Sequence, residues 1–469
     1  MTAPMPAPAL KRSLRPIHLV AIGMGTTIGV GWIVIAGRWI TDAGPGGAAA
    51  AFAIGGLLML LVARCYADLA ARLPLASGEY GYVSTVYGSG WGFAVGWFVL
   101  LGYVGICCFE GLALAWLLTV LAPGIAGPTL YTSLGAPVRV LDLVVVVVGA
   151  LFFTTLNFVG ARESAAVQVA VTAGKVALSF AFILLGLVGG DTVNWTPAFE
   201  PVKTPWSGVA VVLVMVPAWF CGFNALPQAL EEAESRPSAR VLARLLGAVI
   251  LLTALFYIGV IVATSFAAPR AALRTAELPV VAAIEAVAGP WGGRIVLITG
   301  VVALLSAWNA AMFAASRLVH TLGRSGALPT FLSRVHSRHG TPGAAVVFVG
   351  VVALAGGLMG RAFIAPLVQI GSIGFAVAFV ATCVSTLGLK GVPESPRAAF
   401  LPIAATTGAL SLSGVILLSL YTMFAGRAVW PAEATALAAW MAAGLVLRVL
   451  AVADQRGTCA VESGRGSGK

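Results

Sequence analysis

The chain has 469 residues, of which 59% are hydrophobic and only 10% charged, and its mean hydropathy is +0.99. A soluble protein of this length carries about a quarter charged residues. The deficit is spread along the whole chain, which excludes a soluble protein with a single anchor and points to an integral membrane protein. The formal charge of +11 reads through its distribution between the two membrane faces rather than as a nucleic-acid patch.

Lys11, Arg12 and Arg15 precede the first apolar run. That run is too long for the core of a cleavable signal peptide and continues into further spans. Runs of about 20 apolar residues mark spanning helices. Twelve are expected, near 17–42, 46–72, 91–122, 138–160, 163–189, 207–230, 240–268, 291–322, 343–360, 362–389, 399–424 and 430–452. With the N-terminus inside, nineteen of the 28 basic residues fall on the inner connections and tails and eight on the outer ones. The remaining one, Lys175, lies within a span. The positive-inside rule therefore places both termini in the cytoplasm.

The first span contains "GMGTTIGVG", residues 23–31, a poor helix with Gly23, Gly25, Gly29 and Gly31 beside Thr26 and Thr27. The sixth contains "MVPAWFCGFNALPQ", with Pro217, Gly222 and Pro227 in an apolar segment. A broken helix is tolerated in a bilayer only where it lines a cavity or is covered by protein. Two interrupted segments in corresponding halves point to a transporter's binding site, where half-helix ends face the substrate. The alternative for the first stretch is a face of small residues packed on a neighbouring helix.

Ionisable side chains inside a span are costly and carry a functional hypothesis by default. Lys175 in the fifth span ("VTAGKVALSF") and Glu110 in the third ("ICCFEGLALAW") are the two. Asn224 and the pair Glu231–Glu232 lie towards the inner end of the sixth span and suit an inner gate. Glu110 either recognises a cationic side chain in the pocket or pairs with a polar neighbour. Cys65, Cys107, Cys108, Cys221 and Cys383 lie in apolar segments and read as small buried side chains, with Cys459 in the tail. His18, His320, His336 and His339 sit at span ends without metal-ligand spacing. Neither a converging nucleophile and base nor a metal set is present, so no enzyme, no cofactor, no metal and no nucleic-acid partner is expected.

Four motifs in order resemble the amino acid–polyamine–organocation superfamily of permeases. They are "GMGTTIGVGWIVIAG" followed by "AGPGGAAAAF", then "ADLAARLPLASGEYGYV" (67–83), "CGFNALPQALEEAESRP", and "ASRLVHTLGRSGALPTFLSRVHSRHGTP" (314–342). The resemblance implies an all-α membrane protein with twelve transmembrane helices, a five-plus-five inverted repeat of the leucine-transporter type, broken first and sixth helices, and two extra helices. It divides the chain into an inner tail (1–16), a first five-helix repeat (17–189), an outer loop (190–206), a second repeat (207–398), helices eleven and twelve (399–453) and a second inner tail (454–469).

The function implied is secondary active transport of an amino acid across the cell membrane, sodium-independent and proton-coupled, by alternating access. The alternative is an amino acid or polyamine exchanger of the same family. The resemblance implies that the amides of Val30 and Gly31, supported by Gly29, take the substrate carboxylate. The carbonyls of Thr27, Ala218 and Cys221 take its α-ammonium. Thr26, Ile28, Trp219, Phe220 and Gly222 complete the expected substrate site. Lys175 resembles the lysine that occupies the sodium position in sodium-independent members; burial disfavours its charged form, so it is expected to load and release a proton, the alternative being a permanently charged lysine that ties spans together. The sequence departs from the family at Val30, where many relatives have Ser or Ala, at Trp32 in place of a smaller aliphatic residue, and at Ala218, which some relatives fill with an aromatic gate.

Overall fold

A computed structural model describes residues 24, 27–29, 31–73, 75, 77–160, 165–200, 204–224, 226, 238–389, 400–425 and 430–466 of the chain. Thr26, Val30, Pro227, Glu231 and Glu232, singled out above, lie outside the described residues. Among the described residues, nine helices are long and apolar enough to cross a membrane. The only sheet among them is a two-stranded hairpin. The chain is thus an all-α membrane protein.

The first long helix, α1 (Trp32–Arg72), joins what the sequence suggested as two spans. They meet at Gly44, whose φ of 75° and ψ of 160° break the helical path just before Pro45. That conformation is open almost only to glycine, and proline adds its missing N–H at the same point. The turn is crossed by the segment 198–200: Gly46 N–H donates to the Ala198 carbonyl at 2.7 Å, and Glu200 N–H to the Ala43 carbonyl at 3.2 Å. Glu200 in turn holds Arg270 and Arg274. Burial pulls the Arg270 guanidinium below its ordinary pKa, and the Glu200 carboxylate beside it acts in the opposite direction.

The short helix α2 (Gly78–Tyr87) and the long α3 (Ser89–Leu121) follow. Next comes the hairpin of β1 (Thr129–Ser133) and β2 (Ala136–Arg139). Its two-residue turn has positive φ at both Leu134 (50°) and Gly135 (79°), the backbone twist that suits such tight hairpins. Helix α4 (Val140–Val159) starts where Asp142 accepts the Arg139 N–H at 2.9 Å, and α5 (Ala165–Gly189) follows it.

The sixth apolar segment is in pieces: α6 (Pro205–Leu213), then α7 (Val216–Phe220), after which the backbone leaves helical geometry at Cys221 (φ −59°, ψ 144°). Helix α8 (Ala239–Ala267) is capped by Ser238, and α9 (Arg270–Thr275) is short. Helix α10 (Pro279–Arg324) repeats the device of α1, with Gly289 at φ 71° and ψ 179° before Pro290. The expected eighth span begins at 291, directly after this break. Helices α11 (Gly343–Gly357), α12 (Ile364–Gly388), α13 (Phe400–Phe424) and α14 (Ala432–Gly466) complete the chain.

Burial separates these helices into an inner group and a jacket. In α3 and α12 most of the apolar window is covered, 72% and 78%, whereas in α5 and α14 it is 22% and 17%. Helix α1 packs most extensively on α8, and α3 on α12 and α10. The break in the first segment and the end of α7 lie within this inner group.

Candidate substrate site

The chain bends at Ile28 and Gly29, and α1 begins at Trp32 with Gly31 as its N-terminal flank. The Gly31 carbonyl closes the first turn, accepting from Val34 N–H at 3.1 Å and Ile35 N–H at 3.0 Å. Among the described residues no side chain caps this end, and Trp32 and Ile33 are wholly buried. A helix N-terminus leaves up to four N–H groups without intrahelical acceptors and carries partial positive charge. Such an end, buried in an apolar bundle, has the chemistry that suits an anion.

Before the bend, Ile28 N–H still bonds the Met24 carbonyl at 2.8 Å. The Thr27 carbonyl accepts from Gly29 N–H at 3.1 Å and from the Tyr257 hydroxyl of α8 at 3.3 Å. Thr27 and Ile28 are buried and Gly29 is half-buried.

The end of α7 faces this break. A Cβ placed on Gly31 would stand 2.9 Å from two ring atoms of Trp219. Trp219 is half-buried and meets Trp39, Tyr257 and Phe109 edge-on, with centroids 5.1, 5.8 and 6.3 Å away. Ala218, Cys221 and Gly222 are half-buried beside it, while Phe220 is fully buried with its ring 6.5 Å from that of Phe52. The structure therefore brings Gly31, Trp219 and Phe109 together directly, and turns Phe220 into the packing between α7 and α1. Trp32 packs away on α5 and α8, 4.9 Å from Phe182 and 6.2 Å from Phe256.

Glu110 and Lys175 are both buried, at 7% and 8% exposure, and each is the other's electrostatic partner. Successive helical residues are about 100° apart, so α3 presents Phe109 to the break and turns Glu110 to α5.

Two cavities of about 470 and 460 Å³ open on one side of the break. Both are lined by Arg38, Ala362 and Ala365, and the second reaches Val34 and Ile35, one turn from Gly31. Arg361 spans Glu277, at 2.6 Å, and the Trp116 ring, at 5.9 Å, on its wall. Among the described residues no group of histidine, cysteine or acidic side chains is placed to hold a metal.

Tyr257, Trp39 and Phe109 escaped the sequence reading. Each sits in a largely apolar span, where residue type alone does not separate a pocket-lining aromatic from a core one. Glu79 escaped it as well: it lies in a connection, yet is only 2% exposed and accepts from Tyr66 Oη and Asn224 Nδ2, both at 2.6 Å.

The profile of the family described as amino acid permease matches residues 14–445. A branched-chain amino acid permease of Bacillus subtilis is 27% identical over 408 residues, 83% of each chain. A methylthioribose transporter of the same organism is 27% identical over 432 residues, covering 90% of this chain and 91% of its own. A vacuolar cationic amino acid transporter of Arabidopsis thaliana is 29% identical over 405 residues, 83% of this chain and 61% of the relative. These are transporters and not enzymes. A match over nearly the whole length, on a multi-pass helical frame with two facing helix breaks, establishes that the chain belongs to the amino acid permease family of the amino acid–polyamine–organocation superfamily.

Proposed function

We propose that the chain is a secondary active amino acid transporter of the cell membrane, sodium-independent and proton-coupled, working by alternating access. The observation that carries this is the uncapped, buried N-terminus of α1 at Gly31–Trp32, facing the end of α7. Its first-turn N–H groups suit the substrate carboxylate, and the Thr27, Ala218 and Cys221 carbonyls suit the α-ammonium. The amino acid is then held by main chain while its side chain meets Trp219 and Phe109. These walls are apolar, and the buried Glu110 lies within electrostatic reach of the Lys175 cation, which favours a neutral, apolar side chain. The relatives' names include branched-chain and cationic amino acids, and the wall chemistry fits the former.

In this reading α1 supplies the second half of span one and all of span two, α6 and α7 form span six, and α11 is span nine. The total is twelve, arranged as two inverted five-helix repeats plus two helices, with both termini cytoplasmic. Lys175 stands in for a sodium ion and passes a proton. Uptake of labelled amino acids into proteoliposomes tests the whole reading. Accumulation of leucine or valine driven by an inward proton gradient, without sodium, is the expected result. A sodium requirement, or no uptake of any amino acid, overturns it.

A further inference from the structure

We propose that Glu79 is a positioning residue that sets the direction of the Cys221 carbonyl, and with it the acceptor for the substrate's α-ammonium. This rests on the binding mode proposed above.

Glu79 lies in the first turn of α2, outside the substrate segments, yet it is 2% exposed. Among the described residues it forms no ion pair. Burial of a carboxylate is costly unless hydrogen bonds replace its hydration, and here Tyr66 Oη and Asn224 Nδ2 both donate to Oε1 at 2.6 Å. The helix N-terminus adds favourable partial charge. With its amide nitrogen committed to Glu79, Asn224 turns its Oδ1 to the backbone and accepts the Gly222 N–H at 3.0 Å. Hydrogen bonds in such a chain polarise and strengthen one another.

The consequence follows from the planarity of the peptide unit. In a trans peptide the N–H of one residue and the C=O of the residue before it point in opposite directions. Fixing Gly222 N–H on Asn224 therefore fixes the Cys221 carbonyl on the opposite side. No helical ladder sets the direction at this point: Gly222 has φ +114°, and Cys221 has already left helical geometry. Phe223, wholly buried with its ring 5.2 Å from Tyr66, anchors the far end. A connection between two spans thus holds one peptide of the binding site in register.

The test uses the purified full chain carrying Cys459→Ser. The four cysteines Cys65, Cys107, Cys108 and Cys383 are buried, so N-ethylmaleimide reports Cys221, with Cys221→Ser as the blank. Glu79→Ala and Asn224→Ala each remove a charge-assisted bond and should speed alkylation about tenfold, with the double variant no faster than either. Glu79→Gln keeps an acceptor oxygen and should stay within about twofold of the parent. In proteoliposomes Glu79→Ala should raise the KM for L-leucine about tenfold, while competition by 4-methylpentanoate, its deaminated analogue, changes less than about twofold.

Parent-like alkylation in both alanine variants, additive effects, or a Gln variant as damaged as Ala overturns the proposal. So does an equal loss for leucine and its analogue. Absence of leucine uptake in the parent would instead count against the transport reading, leaving the alkylation rates to judge the linkage.

Discussion

Substitution of Gly31 probes the contact on which the site is built. A Cβ there would lie 2.9 Å from Trp219 Cη2 and Cζ3 and 3.0 Å from Phe109 Cζ. Carbon atoms prefer about 3.5–4.0 Å, so Trp219 must retreat by at least about 0.6 Å. The backbone does not object, because φ −57° and ψ −20° at Gly31 suit any residue. The cost is therefore overpacking, about 1–3 kcal/mol. Trp39, Tyr257 and Phe109 flank the indole, which leaves the substrate space as its way out. If the indole moves there, the penalty falls on binding: about 5- to 150-fold in Kd for Gly31→Ala and loss of binding for the bulkier Gly31→Val. Both variants should still fold, and Gly414→Ala, which meets nothing within 4 Å, should match the parent. Leucine binding to purified protein, with thermal melting alongside, is the measurement. Gly31→Ala with parental affinity, or no recovery when Trp219→Leu is added, refutes the reasoning.

Lys175→Ala should fold and bind substrate yet lose accumulation driven by a proton gradient, and Lys175→Arg should not rescue it because a guanidinium stays protonated; retained proton-driven uptake in the alanine variant counts against the coupling role. The two helix-breaking glycines should differ in thermal stability. Gly289→Ala pays only backbone strain, about 1–3 kcal/mol, since nothing lies within 4 Å, whereas Gly44→Ala also meets the Ala198 carbonyl oxygen at 2.6 Å and should melt lower. Tyr257→Phe removes the donor to the Thr27 carbonyl; one neutral hydrogen bond, about 0.5–1.5 kcal/mol, should weaken leucine binding a few-fold without changing expression.

Composition and the spacing of apolar runs determined that this is a multi-pass helical membrane protein, because a bilayer demands long runs of apolar residues and that demand is written locally. The two breaks were legible for the same reason: glycines at 29 and 31 and the Pro217–Gly222 interval are unusual where no water can satisfy a free backbone. Family membership rested on ordered motifs and is matched across residues 14–445. The kinks at Gly44 and Gly289, each just before a proline, fall at expected span boundaries, between 42 and 46 and before 291. Other features had no local signal. Tertiary structure alone brought Trp219 onto Gly31 and Tyr257 onto Thr27, and it alone buried Glu79 against Asn224, 145 residues away. Such contacts depend on which faces of distant helices meet, and side-chain type along a uniformly apolar sequence carries almost no record of that.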